Sequence, residues 1–538
     1  MSSREAADRE RRTREAASRG MSSREAYLAR RVLDALLRED YGGLSARVAR
    51  SRDGVELELA GGRRVRLVPG MLFQDFVVGP DERLGLAEVL GTLAEVADPA
   101  DAPGVAAFAE ECAQALAALE LHDVHRAEVL ARRPSYESLA AFVDHPVYPT
   151  SRARLGVPAA ALPAYAPEFA PSFELRWAAV PRRLLTPGST TVRTPFQAGP
   201  HTTHEASFQA GPHTIREARP HAIHEVRADE VLFPVHPLTV DEVRKIDGVR
   251  LLGEPWLTVR PTLSMRTVEL DERTHLKLPL PTSTLGARNR RSIKPGTLHD
   301  GAKAELLLRR LADPDVLVAD EQTYAHAGHE YLAWMVRRLP EGRMVPVAAL
   351  NAPGVLQEVG DVLPGYLRLL LRWNVRLFVR YGVALEAHQQ NLSLVFQDGR
   401  MKLLVKDNDG LLASPSRLAA AGVEVPAFAD ERMLTDDPHA LADVFVTITL
   451  HLAAAAVVFG ALPPDRAAAL LRDTLTEALD EYGDDPMARL LRARTLDAAR
   501  LTGKSMITAG TLVAKERSGA RDINKFYGTS GPNYLRRA

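Results

Sequence analysis

Residues 382–410 run Gly382-Val-Ala-Leu-Glu-Ala-His-Gln-Gln-Asn391, Leu392-Ser-Leu-Val-Phe396, Gln397-Asp-Gly-Arg400, Met401-Lys-Leu-Leu-Val405 and Lys406-Asp-Asn-Asp-Gly410. Two apolar runs joined through Asp398-Gly399 spell a hairpin, because an Asp-Gly pair accepts the positive φ angles that a tight turn demands. A loop ending in asparagine, then a hairpin, then Asp407-x-x-Gly410 is the layout by which kinase-type sites bring an amide oxygen and a carboxylate onto one Mg²⁺. Glu386, His388, Gln390, Asn391, Asp407 and Asp409 are therefore expected to converge. The bland alternative is a polar surface hairpin. No His-Arg-Asp triplet precedes the loop and no Asp-Phe-Gly follows it, which argues against a protein kinase.

Around this hairpin the pattern is helical from about residue 354 onward, beginning with a helix rich in Leu and Arg over about 363–381. The most apolar run, 444–462, contains Thr447, Thr449 and His451 and lacks basic or aromatic flanks, so it reads as a buried helix rather than a membrane span. Between about 231 and 350 strands dominate, with 257–260 and 275–278 as examples. Nearer the start, a helix from Tyr27 leads to a hairpin around Gly61-Gly62 and then to amphipathic helices over about 81–141. The stretch 144–156 is punctuated by Pro146 and Pro149, each of which removes a donor and restricts the residue before it, and must be a shaped loop.

A second cluster reads Arg260-Pro-Thr-Leu-Ser-Met-Arg-Thr267, followed by Lys277 inside a strand and by Pro281-Thr-Ser-Thr-Leu-Gly-Ala-Arg-Asn-Arg-Arg291. Ser264, Arg266, Thr267 and Lys277 are groups suited to a polyphosphate, and Arg288, Arg290 and Arg291 offer forked donors to a small polycarboxylate. Taken alone, a basic cluster of this size is as often a solvated face. Neither a phosphate-binding Gly-x-x-x-x-Gly-Lys loop nor a dinucleotide fingerprint is present.

Composition narrows the classes. The 538 residues, 46% hydrophobic and 25% charged, describe a globular chain of two or three domains. With 68 basic against 69 acidic residues, no global field recruits nucleic acid or an anionic membrane, so an anion site must be local. The single cysteine, Cys112, excludes an internal disulfide, and the chain reads as cytoplasmic. Only nine residues are lysine, none before Lys245, which makes each worth inspecting. Met1-Ser-Ser-Arg-Glu-Ala6 recurs as Met21-Ser-Ser-Arg-Glu-Ala26, and with no apolar run to serve as a signal, 1–26 is expected to be a disordered extension.

Phe196-Gln-Ala-Gly-Pro-His-Thr202 recurs as Phe208-Gln-Ala-Gly-Pro-His-Thr214 within a histidine-rich stretch, 191–226. Its His201/His204 and His221/His224 pairs lack cysteines and well-placed carboxylates, so an insertion is expected over a metal site. A His-rich metal-binding or interaction protein is the alternative of a different class. His122/His125 and His326/His329 lie in helical patterns and read as ordinary helix-face histidines. The organisation expected is an extension at 1–26, an N-terminal domain at 27–190, the insertion at 191–226, a β-rich region at 227–350 and a mostly helical domain at 351–538.

In order along the chain these segments resemble the IucA/IucC-type NRPS-independent siderophore synthetases. His145-Pro-Val-Tyr-Pro-Thr-Ser-Arg-Ala-Arg-Leu-Gly156 is similar to that family's His-Pro-x-His-Pro-x-x-Lys-x-Arg-x-Gly, with Tyr148 and Arg152 as departures. Phe233-Pro-Val-His-Pro237 matches its second His-Pro element, Ser264-Met-Arg-Thr267 its nucleotide motif and Glu386-Ala-His-Gln-Gln-Asn391 its Glu-Ala-His-x-Gln-Asn signature. Lys406 stands in place of the usual Arg before Asp407, and Thr282-Ser-Thr-Leu-Gly-Ala-Arg288 departs in spacing from the family's Thr-Ser-x-x-Arg stretch. The resemblance implies an α+β cupped hand of thumb, fingers and a helical palm carrying the hairpin site. It also implies ATP and Mg²⁺, with adenylation of a carboxylate, citrate or a citrate derivative, and its capture by an amine or alcohol with release of AMP and pyrophosphate. Homodimers are common in such a family. On that reading ATP meets Ser264, Arg266, Thr267, Lys277, His388, Gln390, Asn391 and Asp407, and Mg²⁺ meets Glu386, Asn391, Asp407 and Asp409. The carboxylate meets Arg288, Arg290, Thr282, Ser283 and a His388 expected to be protonated among anions; His388, Arg288 and Lys277 are the catalytic set. A kinase-like small-molecule phosphotransferase, using Asn391 and Asp407, is the alternative within ATP chemistry.

Overall fold

A computed structural model describes residues 22–189, 226–519 and 526–537. The decisive hairpin forms where expected: Leu392–Gln397 pairs antiparallel with Arg400–Val405, and Asp398 and Gly399 turn the chain at φ 51° and 71°. This hairpin is the middle of a four-stranded sheet, flanked by Arg343–Pro346 and, parallel to the second strand, by Val316–Val318. The preceding helix, Leu363–Arg376, continues through a wider turn at Leu377–Tyr381 and stops at Gly382, whose φ of 61° ends it. Any side chain at Gly382 would also strike Ser414.

An eight-stranded antiparallel sheet runs in the order Asp320–His326, Ala333–Arg338, Thr274–Lys277, Thr267–Asp271, Trp256–Pro261, Phe173–Pro181 and Glu230–Val235, with Arg250–Leu251 also pairing with Phe173–Pro181. One face is an apolar core in which Trp177 stacks on Trp256 at 4.2 Å and donates its indole N–H to the Trp256 carbonyl. Both sheets draw strands across the expected segment boundaries: Phe173–Pro181 comes from 27–190, whereas Val316–Val318 and Arg343–Pro346 come from 227–350. That region also contains a helix, Thr297–Leu311, which the strand-rich pattern did not announce. His326 ends a strand and His329 lies in the turn after it, correcting the helical expectation for this pair. His122 does lie in a helix, Ala102–Ala131, buried edge-on against Phe142.

At the N-terminal end, Ser23–Arg38 packs beside a four-stranded sheet over 48–78. In the C-terminal part, Pro438–Ala461 is long and apolar enough to cross a membrane, yet 83% of its most apolar window is buried within this chain. The first copy of the duplicated start and the His-rich repeat lie outside the described residues, but the second copy is ordered from Ser22, whose hydroxyl caps the helix Ser23–Arg38 by accepting the Glu25 N–H, which corrects the expected disorder over 22–26 and the expected helix start at Tyr27. The flanks of the repeat are informative nonetheless: Pro181 and Glu230 are paired across adjacent strands, and the Arg182 N–H donates to the Asp229 carbonyl at 2.8 Å.

Candidate functional site

Thr274–Lys277 alternates as an amphipathic strand should, with Leu276 in the apolar core and His275 and Lys277 on the opposite face. That polar face is not solvated, because His275 and Lys277 are only 4% and 2% exposed, and a buried ammonium needs partners. The loop after the hairpin supplies them: Lys277 Nζ lies 2.5 Å from Asp407 Oδ1 and 3.3 Å from Asp409 Oδ2. Burial pushes the Asp407 carboxyl up, but Lys277, Arg337 and Arg266 outweigh it and hold the group well below the usual carboxylate range. Asp407 adopts φ 63°, and its N–H donates at 2.9 Å to Glu321 Oε1, which also accepts from Arg337 Nε.

The turn between Trp256–Pro261 and Thr267–Asp271 carries Ser264 and Arg266. It is closed by the Thr262 hydroxyl on the Thr267 carbonyl and by Met265, buried at φ 62°. The Arg266 guanidinium donates to the Ser292 carbonyl at 2.9 Å, and the Ser264 and Thr267 hydroxyls stand 3.5 Å apart. Beyond Lys277 the arginine-bearing loop docks on the C-terminal segment. Arg288 donates through its backbone to the Gly510 carbonyl and through its guanidinium to the Ala509 carbonyl. The Thr282 hydroxyl donates to the Leu155 carbonyl, and Ser283 bridges Leu155 and Arg290. The Arg290 guanidinium, more than half exposed, is turned to Tyr331 and Glu330. Arg291 is the less exposed of the two, half-buried: desolvation, and then Arg266, push its guanidinium down to about 9, while Asp407 opposes them. Still charged at neutral pH, it is a cation that an incoming anion would relieve.

His388 is pushed down to about 4 by burial and then by the charge of Lys504, against the pull of Asp407. The expected imidazolium is therefore a neutral ring in the absence of an anion, because the nearest charges are as much cationic as anionic. His145, pushed to about 3 by burial and then by His388, accepts the N–H groups of Val147 and Tyr148 at Nδ1, at 3.2 and 2.9 Å, which leaves Nε2 to carry the proton. The proline-rich loop thus reaches the site through His145, while its two departures are committed elsewhere: Tyr148 meets Thr511, and Arg152 pairs with Asp144 at 2.5 Å. Lys504 follows the strand Arg500–Gly503, far from the other motifs in sequence; its only signal was the scarcity of lysine.

Asn391 donates its amide to the Glu386 carbonyl at 3.3 Å, and Gly410 lies directly beneath Glu386, where a Cβ would come within 2.3 Å of its Oε2. Gln390 is half-buried beside them. Among the described residues no three His, Cys, Asp or Glu side chains gather as a closed metal cage. Mg²⁺ commonly takes one or two protein carboxylates and completes its shell with phosphate oxygens and water. Asp407 and Asp409, already sharing one cation in the Lys277 ammonium, fit that kind of ion as a pair, and among the described residues Glu386 does not join them as a third carboxylate.

A model of the IucA/IucC family matches residues 135–352, and one described as a ferric iron reductase FhuF-like transporter matches 363–516. The chain is 24% identical over 353 residues to staphyloferrin B synthase of Staphylococcus aureus, covering 54% of this chain and 56% of that protein. It is 25% identical over 352 residues to the rhizobactin siderophore biosynthesis protein RhbC of Rhizobium meliloti, covering 55% and 57%. The chain thus spans about half the length of the curated relatives it matches. Its fold is similar to that of the petrobactin biosynthesis protein AsbB of Bacillus anthracis, with a TM-score of 0.70 at 16% identity and 96% of each chain covered. The ATP-bound aerobactin synthetase IucA of Klebsiella pneumoniae gives the same score and identity over 95% of this chain and 99% of that one.

Proposed function

Because this chain belongs to the IucA/IucC family of NRPS-independent siderophore synthetases, we propose that it is an ATP-dependent acid–amine or acid–alcohol ligase acting on citrate or a citrate-derived acid. The observation that supports this most is the cluster of buried Lys277 and half-buried Arg266 and Arg291 around the ionised Asp407, in a chain whose fold matches an ATP-bound synthetase. On this reading the architecture is a cupped hand whose palm carries the kinase-like hairpin.

A carboxylate oxygen attacks the α-phosphorus, the bond from Pα to the bridging oxygen breaks, and pyrophosphate leaves. The amine or hydroxyl then attacks the acyl carbon and AMP departs with the bonding pair. Carboxylate and triphosphate repel one another, so positioning and charge neutralisation supply most of the rate. Lys277 and Arg266 hold the phosphates, Arg288 and Arg291 neutralise the acid, and Ser264, Thr267, Gln390 and Asn391 orient the nucleotide. Neutral His388 donates a hydrogen bond to the developing negative charge. Asp407 and Asp409 would hold Mg²⁺, which neutralises phosphate charge.

The test incubates the protein with ATP, Mg²⁺ and citrate, with hydroxylamine as surrogate nucleophile. Citrate-dependent AMP, pyrophosphate and hydroxamate are expected; ADP and phosphate instead would overturn the reading in favour of a phosphotransferase.

A further inference from the structure

Glu137 stands where three segments meet. It belongs to the short helix Tyr136–Ala140 and is 8% exposed. Its Oε2 accepts the Leu263 N–H at 3.1 Å, and its Oε1 accepts from Lys406 Nζ at 3.0 Å. Leu263 immediately precedes Ser264 in the turn that also carries Arg266. Lys406 immediately precedes Asp407, and its N–H donates to the Asn391 carbonyl at 3.0 Å. The turn and the loop extend different sheets, so nothing in either sheet's own ladder keeps one in register with the other. A single buried carboxylate bonds to both.

Burial pushes the Glu137 carboxyl up, and Lys406, His275 and the Leu263 N–H together more than offset it, so the group stays ionised with two directed partners. A buried ion pair adds little net stability over an apolar pair of the same shape, so its conformational role is the stronger reason for its geometry. Here each partner is one residue away from a group assigned to the nucleotide. We propose that Glu137 is a positioning residue for ATP: it sets the distance between the turn bearing Ser264 and Arg266 and the loop bearing Asp407. This rests on the ATP-dependent reading above.

The experiment compares wild type, Glu137→Gln and the double variant Glu137→Gln with Lys406→Met. It measures ATP–Mg²⁺ binding by calorimetry without acid, the KM values for ATP and for citrate, and the thermal midpoint. Glu137→Gln should weaken ATP about tenfold or more, since an ångström of misplacement is costly, while the citrate KM at saturating ATP stays within about twofold. The double variant strands no buried charge and should regain the wild-type midpoint without regaining ATP affinity. A double variant that regains both reduces Glu137 to a counter-ion and overturns the proposal, as does an equal rise in both KM values. A wild-type protein that binds no ATP removes this proposal together with the reading beneath it, whereas normal wild-type binding with unchanged variants removes this proposal alone.

Discussion

Lys277 shows what burial demands of a charged side chain. With 2% of its surface exposed, it has little contact with water, and Asp407 and Asp409 are the carboxylates that reach it instead. Lys277→Met is expected to lower citrate-dependent AMP release by about 10²- to 10³-fold. Lys277→Arg should not rescue it, because a planar fork cannot replace a point donor between two carboxylates. Steady-state AMP release checks both. At this scale the sequence disclosed the residues whose spacing is local: Glu386 through Asn391 and Asp407 are held together by one hairpin, and Ser264 through Lys277 by adjacent strands. It did not disclose Lys504, Glu137 or the Arg337–Glu321 pair, whose proximity depends on tertiary packing. Nor could it separate Arg291 from Arg290, because neighbours on an irregular loop face opposite ways for reasons that lie in the surface they dock on.

Among elements, the arginine-bearing loop owes its position to a close backbone approach. Gly286 sits at φ 117°, and a Cβ there would lie 2.9 Å from the Gly510 Cα. Gly286→Ala should therefore cost about 1–3 kcal/mol and raise the citrate KM more than the ATP KM, read by thermal unfolding and initial rates. The hairpin, the helix that ends at Gly382 and the loop over 144–156 were legible because Gly, Pro and Asp-Gly act locally. The segment around His326 was not. Glu321, Gln322 and Ala325 give it helical propensity, and pairing with Ala333–Arg338 overrides that. The alternation at Thr274–Lys277 was legible as a strand, but its polar side is covered by other elements instead of solvent, which no period-2 pattern can reveal.

At the scale of the whole molecule, six histidines among the described residues are held as neutral rings: burial pushes His122, His388 and His451 down to about 4, and His145, His236 and His275 to about 3. In the unfolded chain each titrates near 6.5, so below that pH the unfolded state binds the extra protons. Stability is expected to fall as pH drops through about 6.5 towards 3–4, whereas the depressed Asp407 adds its loss only below its unfolded value, nearer 4. Denaturant midpoints at pH 7.5, 6 and 5 should decline in that order; a flat series would contradict the neutral assignment. The expected insertion, residues 191–226, lies in sequence between two strands paired up to Pro181 and Glu230. Replacing the insertion with a short Gly/Ser turn should leave citrate-dependent AMP release within about twofold, as expected for an insertion at a hairpin end.

The ammonium shared by two aspartates also bears on turnover. On the proposed chemistry, ATP brings enough anionic oxygens to draw Lys277 away from Asp407 and Asp409, leaving those carboxylates for the metal. Once pyrophosphate and the acyl group have gone, AMP carries a single phosphate, and both aspartates compete for the lysine again. Release of the spent nucleotide is then a contest against the protein's own anions, and the resting ion pair discriminates among nucleotides by how much charge they carry.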